Sequence, residues 1–164
     1  MVHPDPVTVI GITGHRELSA RTEELVTAAL RAEVGRHPDG KLVGVSALAD
    51  GADTLFAQAV LDAGGALIVI IPARRYRDTL PAAHRPVFDA LVDRAARVVA
   101  LDHEDPTNEA YMDGGLAVLD ASDCLIAVWD GKPARGFGGV ADVVDAAHER
   151  DLPVTVIWPA GAVR

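Results

Sequence analysis

The hydrophobic positions of this chain form short β-branched runs that alternate with longer amphipathic segments. The runs cover residues 7–10, 41–45, 66–71, 97–101, 124–128 and 154–157. Their first residues are 25 to 34 positions apart, which is the length of a strand, a crossover helix and two short loops. Several runs are apolar without interruption, as strands covered on both faces are. The pattern predicts six strands.

The segments between the runs have the apolar spacing of helices. Ser19 and Asp50 are the expected N-caps of the first two, because their side chains can accept a hydrogen bond from the first helical turn. The other three are expected to begin near residues 86, 108 and 139. Strand-helix alternation with right-handed crossovers predicts an α/β fold: a doubly wound, mainly parallel, six-stranded sheet with helices on both faces, in three layers.

Composition agrees with a folded chain. Of the 164 residues 49% are hydrophobic and 24% are charged, which are globular values. No linker or repeat divides the sequence, so a single domain is expected over residues 1–164. A lone Cys excludes an internal disulfide.

Charge limits the partners that are expected. The formal net charge of −9 opposes the electrostatic attraction on which most nucleic-acid binding depends, so DNA is not a favoured partner. Residues 1–6 lack the basic and apolar regions of a secretory leader, and the longest apolar run, 66–72, is too short to cross a membrane. A cytoplasmic protein without a membrane partner is expected.

Chemistry-bearing residues follow the strands and do not precede them. Gly14, His15 and Arg16 come after the first strand, and glycine beside basic side chains is typical of an anion site. The alternative is a tight turn in which Arg16 pairs with Glu17 or with a neighbouring loop. The candidate ligand-binding residues after the second strand are Ser46 as a hydroxyl donor, Asp50 or Asp53 as a contact to a ribose or a metal, and Gly51. The alternative there is helix capping by both carboxylates.

The loop after the fifth strand carries a third candidate site. Its glycines precede a helix, so their backbone N–H groups can point at a phosphate or another oxyanion. Lys132 and Arg135 add positive charge. The candidate ligand-binding residues of this loop are Asp130, Gly131, Gly136, Phe137, Gly138 and Gly139.

Two further features concern close packing and metals. Gly114 and Gly115 fall inside the fourth helix, where each costs about 1 kcal/mol relative to Ala, so a ligand, a neighbouring helix or a second protomer is expected to approach there. The six His residues have no metal-ligand spacing, and no metal site is expected.

Residues 11–16, 46–53, 122–123 and 136–139 together resemble the SLOG group of Rossmannoid domains, which includes the LOG (Lonely Guy) phosphoribohydrolases and the DprA/Smf DNA-processing proteins. The resemblance covers nearly the whole chain. It implies a Rossmann-like fold, a nucleotide-sized ligand at the carboxyl edge of the sheet, and a homodimer.

The LOG enzymes cleave the N-glycosidic bond of a nucleoside monophosphate, and this chain matches only part of their motif. Asp142 stands where the enzymes have Glu, Gly139 stands where they have Thr, and Gly114 falls near the position of their Arg. A carboxylate at Asp142 could stabilise the cationic ribosyl transition state, with His15 or Asp50 handling water.

The leading expectation is therefore a domain that senses or carries a nucleotide or a nucleotide-derived small molecule. The first alternative is a phosphoribohydrolase with Asp142 and His15 as its catalytic residues. The second is a DprA-like module that processes or contacts DNA. No resident cofactor is expected, apart from Mg²⁺ accompanying a nucleotide.

Overall fold

A computed structural model of the chain describes residues 6–133 and 138–164. In the described part the strands are β1 Thr8–Gly14, β2 Leu42–Ser46, β3 Ala66–Ile71, β4 Arg97–Ala100, β5 Cys124–Val128 and β6 Val154–Ile157. The α-helices are α1 Ala20–Val34, α2 Ala52–Asp62, α3 Arg85–Arg94, α4 Asn108–Asp120 and α5 Val140–Glu149, with a short 3₁₀ helix at Tyr76–Thr79. The predicted alternation of strands and helices is confirmed.

The strands form one parallel sheet in the order β4-β3-β2-β1-β5-β6. The chain steps outward from β1 to β4 and then returns to place β5 on the other side of β1. This reversal of direction between β1 and β5 is the topological switch point of a doubly wound sheet, where such folds bind ligands. The predicted fold class is confirmed.

Helices cover both faces of the sheet. Leu30 of α1 and Phe56 of α2 pack with Ile10 in one core cluster, and Phe88 of α3 packs with Leu67 in a second cluster on the same face. The opposite face is covered by α4 and α5, since Val118 of α4 packs with Val45 and Val143 of α5 packs with Leu125. Three layers result, with the buried sheet in the middle.

Strand β1 is longer than the sequence predicts. It continues through Gly14, since residues 10–14 pair with residues 124–128 of β5. A Cβ added to Gly11 would lie 2.7 Å from Val118 Cγ1 of α4. Glycine in β1 therefore lets the helix above it sit against the strand backbone.

The helix caps agree with prediction in one case and differ in another. Ser19 caps α1, because its Oγ accepts from Thr22 N at 3.3 Å. Asp50 does not cap α2, so that prediction is wrong: the N-cap is Gly51, without a side-chain hydrogen bond. The carboxylate of Asp50 is taken by Arg16 instead.

The helices within residues 6–133 and 138–164 do not meet the requirements of a membrane-spanning segment. None of them combines the length and the apolar composition that a span requires.

Candidate functional site

A cavity of about 730 Å³ opens beyond the carboxyl end of β1, beside the switch point. Residues 12–17 form one wall, and α4 together with the start of α5 forms the opposite wall. Small-molecule sites in proteins occupy roughly 300 to 1,000 Å³. The cavity thus has the size and the position of a ligand site in this class of fold.

The predicted site residues fall into two groups around this cavity. Among the described residues, those that line it are Gly14, His15, Arg16, Asp53, Gly138 and Gly139. Others are set back and each contacts a lining residue: Ser46, Asp50, Gly51, Asp130 and Asp142. Gly131 has a φ of 82° with open space where a Cβ would stand, as in a turn. Arg135, Gly136 and Phe137 lie outside the described residues.

Arg16 and Asp50 form an ion pair at the rim of the cavity. Nε and Nη2 of Arg16 lie 2.8 and 2.7 Å from Oδ1 of Asp50. Burial alone would lower the pKa of Arg16, but the hydrogen bond and the charge of Asp50 raise it above its ordinary value. The guanidinium therefore stays charged, with its positive charge largely offset by one carboxylate.

Gly51 holds the β2–α2 loop against the segment that follows β1. Its φ is 94°, and a Cβ there would lie 2.6 Å from His15 O. Ala52 N donates to the same carbonyl at 3.2 Å. The two loops that sequence analysis singled out separately are therefore in direct backbone contact.

Ser46 is fully buried and acts within the same loop. Its hydroxyl donates to Asp53 O at 3.0 Å and accepts from Leu48 N at 3.1 Å. These bonds fix the turn between β2 and α2 and so position the side chain of Asp53.

Asp53 is a buried carboxyl that faces the cavity. Removal from water raises its pKa from 3.8 to about 7, and the nearby charge of Asp50 acts in the same direction. A backbone hydrogen bond from Ala49 and the charge of Arg16 oppose the increase. At neutral pH this carboxyl can either donate or accept a proton, which is the property of a general acid or base.

His15 lines the cavity and is almost completely buried. Its Nε2 accepts from Asp130 N at 3.1 Å and lies 3.2 Å from Asp130 Oδ1. The ring meets Trp158 edge to face, with centroids 5.5 Å apart. Burial would raise the pKa of Asp130, but the N–H of Lys132 and the contact with His15 hold it below its ordinary value. The imidazole is thus held in orientation by residues that directly follow β5 and β6.

The first turn of α5 presents its amides near the cavity. Gly138, Gly139 and Val140 line the wall, and the N-cap Gly139 has no capping side chain. The carboxylate of Asp142 accepts from Gly138 N at 2.9 Å. Asp142 is not among the described residues that line the cavity, so its carboxylate shapes the loop before α5.

Gly114 and Gly115 are explained by packing within the chain. A Cβ on Gly114 would lie 3.0 Å from Pro72 Cγ, and one on Gly115 would lie 2.7 Å from Val143 Cγ2 of α5. Both glycines also line the cavity. Of the three approaches that the sequence left open, neighbouring elements of the same chain come close here.

The wall also contains residues that are not among the predicted site residues, including Tyr76, Thr79, Tyr111 and Arg164. Tyr76 and Tyr111 stack edge to face with centroids 6.2 Å apart. Arg164 follows β6 by several residues, and no periodic or motif signal marks it. Within the described residues no cluster of three or more His, Cys, Asp or Glu side chains could hold a metal ion.

Solved structures with the same fold include DNA-processing and carrier proteins. DprA from Streptococcus pneumoniae superposes with a TM-score of 0.68 at 20% identity, over 94% of this chain and 52% of that one. DprA from Helicobacter pylori gives 0.67 at 18%, over 96% and 68%. The Moco carrier protein from Chlamydomonas reinhardtii gives 0.56 at 16%, over 92% and 76%. This chain spans about half the length of the S. pneumoniae protein.

These likenesses confirm the Rossmann-like α/β fold that the sequence predicts. No protein-family model matches the sequence, and comparison with curated proteins gives no match.

Proposed function

We propose that this chain binds a nucleotide or a nucleotide-derived small molecule in the cavity beside β1, as a sensor or carrier domain. The observation that carries the proposal is the meeting of two cationic side chains, Arg16 and Arg164, with the first turn of α5 in one cavity, where the N-cap Gly139 makes no side-chain hydrogen bond. The first amides of a helix have no carbonyl partner within the helix and carry its positive dipole end, so they favour an anion.

Each part of the wall has a role in this proposal. The phosphate would accept from the amides at the start of α5, and the ribose hydroxyls would meet the carboxyl of Asp53. Tyr76 and Tyr111 supply aromatic surface for a base. Mg²⁺ entering with a nucleotide would be held chiefly by the phosphates, as is common for this ion.

One of the solved structures with the same fold supports a small-molecule function. The Chlamydomonas protein is named as a carrier of the molybdenum cofactor, so this fold accommodates a carrier role elsewhere. A homodimer remains part of the proposal, to be checked by light scattering.

A second candidate is hydrolysis of the N-glycosidic bond of a nucleoside monophosphate. The observation that favours it is Asp53, a buried carboxyl in the cavity with a pKa of about 7, because perturbed carboxyls of this kind occur at catalytic sites. Release of free base from a panel of monophosphates tests this activity. Asp142→Asn and His15→Asn test the two residues that the motif comparison suggested.

DNA binding is the third candidate, since the H. pylori DprA structure is described in terms of single-stranded DNA binding. The net charge of −9 opposes it. A gel shift with single-stranded DNA at low salt decides: retention of DNA would replace the small-molecule proposal.

Thermal unfolding with a ligand panel tests the leading proposal. A ligand at one hundred times its Kd stabilises the folded state by about 2.7 kcal/mol, which raises the melting temperature of a domain of this size by about 5 °C or more. The panel contains nucleoside mono-, di- and triphosphates, cyclic nucleotides and nucleotide sugars. If no member at millimolar concentration raises the melting temperature by more than about 1 °C, the proposal is wrong.

A further inference from the structure

The segment after β6 is attached to the start of α1 by a reciprocal pair of hydrogen bonds. The hydroxyl of Thr22 donates to Val163 O at 2.9 Å and accepts from Val163 N at 3.0 Å. Thr22 is fully buried, so water does not compete with this pair. The backbone next to Arg164 is therefore fixed in position.

This attachment places Arg164 in the cavity wall. Its Nη1 lies 4.0 Å from Asp130 Oδ2, at the outer limit of an ion pair. Asp130 also accepts from Lys132 N at 3.0 Å and contacts His15. Its carboxylate is thus shared among several groups and is not dedicated to Arg164.

Arg16, the other arginine of the cavity wall, has a closer carboxylate partner than Arg164. Two nitrogens of Arg16 lie within 2.8 Å of Asp50, whereas Arg164 makes no ion pair shorter than 4.0 Å with the described carboxylates. A guanidinium offers five N–H donors in a planar fork that suits phosphate oxygens. Of the two cations, Arg164 has more of its donors available for a ligand.

We propose that Arg164 binds the phosphate of the ligand and that the Thr22–Val163 hydrogen bonds hold it in place. The ligand class is a phosphate monoester, such as a nucleoside monophosphate. Arg164 and the amides at the start of α5 line the same cavity and would donate to the same group. The inference rests on the proposed function and assigns its anion specificity to a residue outside the motif loops.

Calorimetric titration with the four common nucleoside 5′-monophosphates and with the matching nucleosides tests the inference. Arg164→Ala is expected to weaken monophosphate binding about tenfold to hundredfold, the effect of losing hydrogen bonds to a charged group. Nucleoside binding is expected to be unchanged. Arg31→Ala is the control, because it removes the same charge from a pair with Asp62 that is not part of the described cavity wall.

A second pair of variants tests the attachment. Thr22→Val removes both hydrogen bonds with little change of shape and is expected to weaken monophosphate binding, while Thr22→Ser keeps them and restores binding. Adding Thr22→Val to Arg164→Ala is expected to cost no further affinity, because both changes act through one guanidinium. Thermal unfolding of the free variants shows whether each is folded.

The outcomes separate this inference from the proposed function. If the wild-type chain binds monophosphates and Arg164→Ala binds them equally well, the inference is wrong and the proposed function stands. An equal loss of nucleoside and monophosphate binding also overturns the inference, because Arg164 would then not recognise the phosphate. If the wild-type chain binds none of the eight probes, both the inference and its monophosphate ligand class are wrong. Binding of other panel nucleotides would leave only the broader proposal in place.

Discussion

Arg16 and Asp50 are 34 residues apart in sequence, yet Nε and Nη2 of the arginine lie 2.8 and 2.7 Å from the same carboxylate oxygen. The pair joins the segment after β1 to the loop after β2. Asp50 is mostly buried, with 15% of its side chain exposed. The ion pair is therefore less accessible to water than an ordinary surface pair.

This burial predicts a measurable coupling between the two side chains. A double-mutant cycle of Arg16→Gln and Asp50→Asn should give a coupling free energy of about 1 kcal/mol, at the upper end for partly exposed pairs. The pair of Arg31 and Asp62, of similar length at 2.8 Å but about half exposed on both sides, is the matched control and should give less than about 0.5 kcal/mol. Chemical denaturation measures both cycles. Equal coupling free energies would mean that burial does not strengthen the Arg16–Asp50 ion pair.

Gly51 is predicted to be intolerant of any side chain, and Gly64 provides the comparison. Both have a positive φ, 94° and 81°, but a Cβ on Gly51 would lie 2.6 Å from His15 O whereas nothing lies within 4 Å of one on Gly64. Gly64→Ala should lower the free energy of unfolding by about 1 to 2 kcal/mol, the cost of the backbone conformation alone. Gly51→Ala should cost about 3 kcal/mol or more, because a backbone clash is added. Similar losses in denaturant unfolding would contradict the close contact of the two loops.

Asp53 is predicted to make stability depend on pH. Its pKa in the folded state is about 7 against an ordinary 3.8, so the folded chain keeps this proton where the unfolded chain has lost it. The resulting loss of stability begins above pH 4, grows as pH rises, and is complete above pH 7. Asp53→Asn removes this contribution, so its stability relative to wild type should increase by about 2 kcal/mol between pH 5 and pH 8.

Denaturant unfolding across that pH range is the measurement for Asp53. Asp39→Asn, which changes an exposed carboxyl, controls for the loss of one negative charge. The charged groups near Asp53 are Arg16 and Asp50, and the experiment is repeated in Asp50→Asn to separate burial from charge repulsion. A difference between Asp53→Asn and wild type that does not change with pH would contradict the assigned cause.

Much of the architecture could be predicted because buried parallel strands produce continuous apolar runs. Residues 66–71 and 124–128 are strands with the predicted bounds. The continuation of β1 to Gly14 was missed, since glycine carries no strand signal and the extension depends on pairing with β5. Similarly, Asp50 has the local features of a helix cap, but its long-range partner Arg16 determined the outcome.

In the candidate site, too, some features could be predicted from the sequence and others could not. Loops after strands indicated which edge of the sheet carries the polar groups, and Arg16, Asp53 and Gly138 are found in one cavity. The position of Arg164 could not be predicted, because it depends on Thr22 holding Val163 across 141 residues of sequence. The carboxylate of Asp142 accepts a hydrogen bond from Gly138 N, a contact that its helical spacing does not reveal.

The central claim is that a phosphate-bearing ligand occupies the cavity beside β1, and amide NMR tests it most directly. A titration of the ¹⁵N-labelled chain with a nucleotide from the thermal panel should shift the amide signals of Gly14, His15 and Arg16 and those of Gly138 to Ala141. The amides of β4, at the far edge of the sheet, should not move. Shifts confined to other surfaces, or no shifts at millimolar nucleotide, would contradict the account.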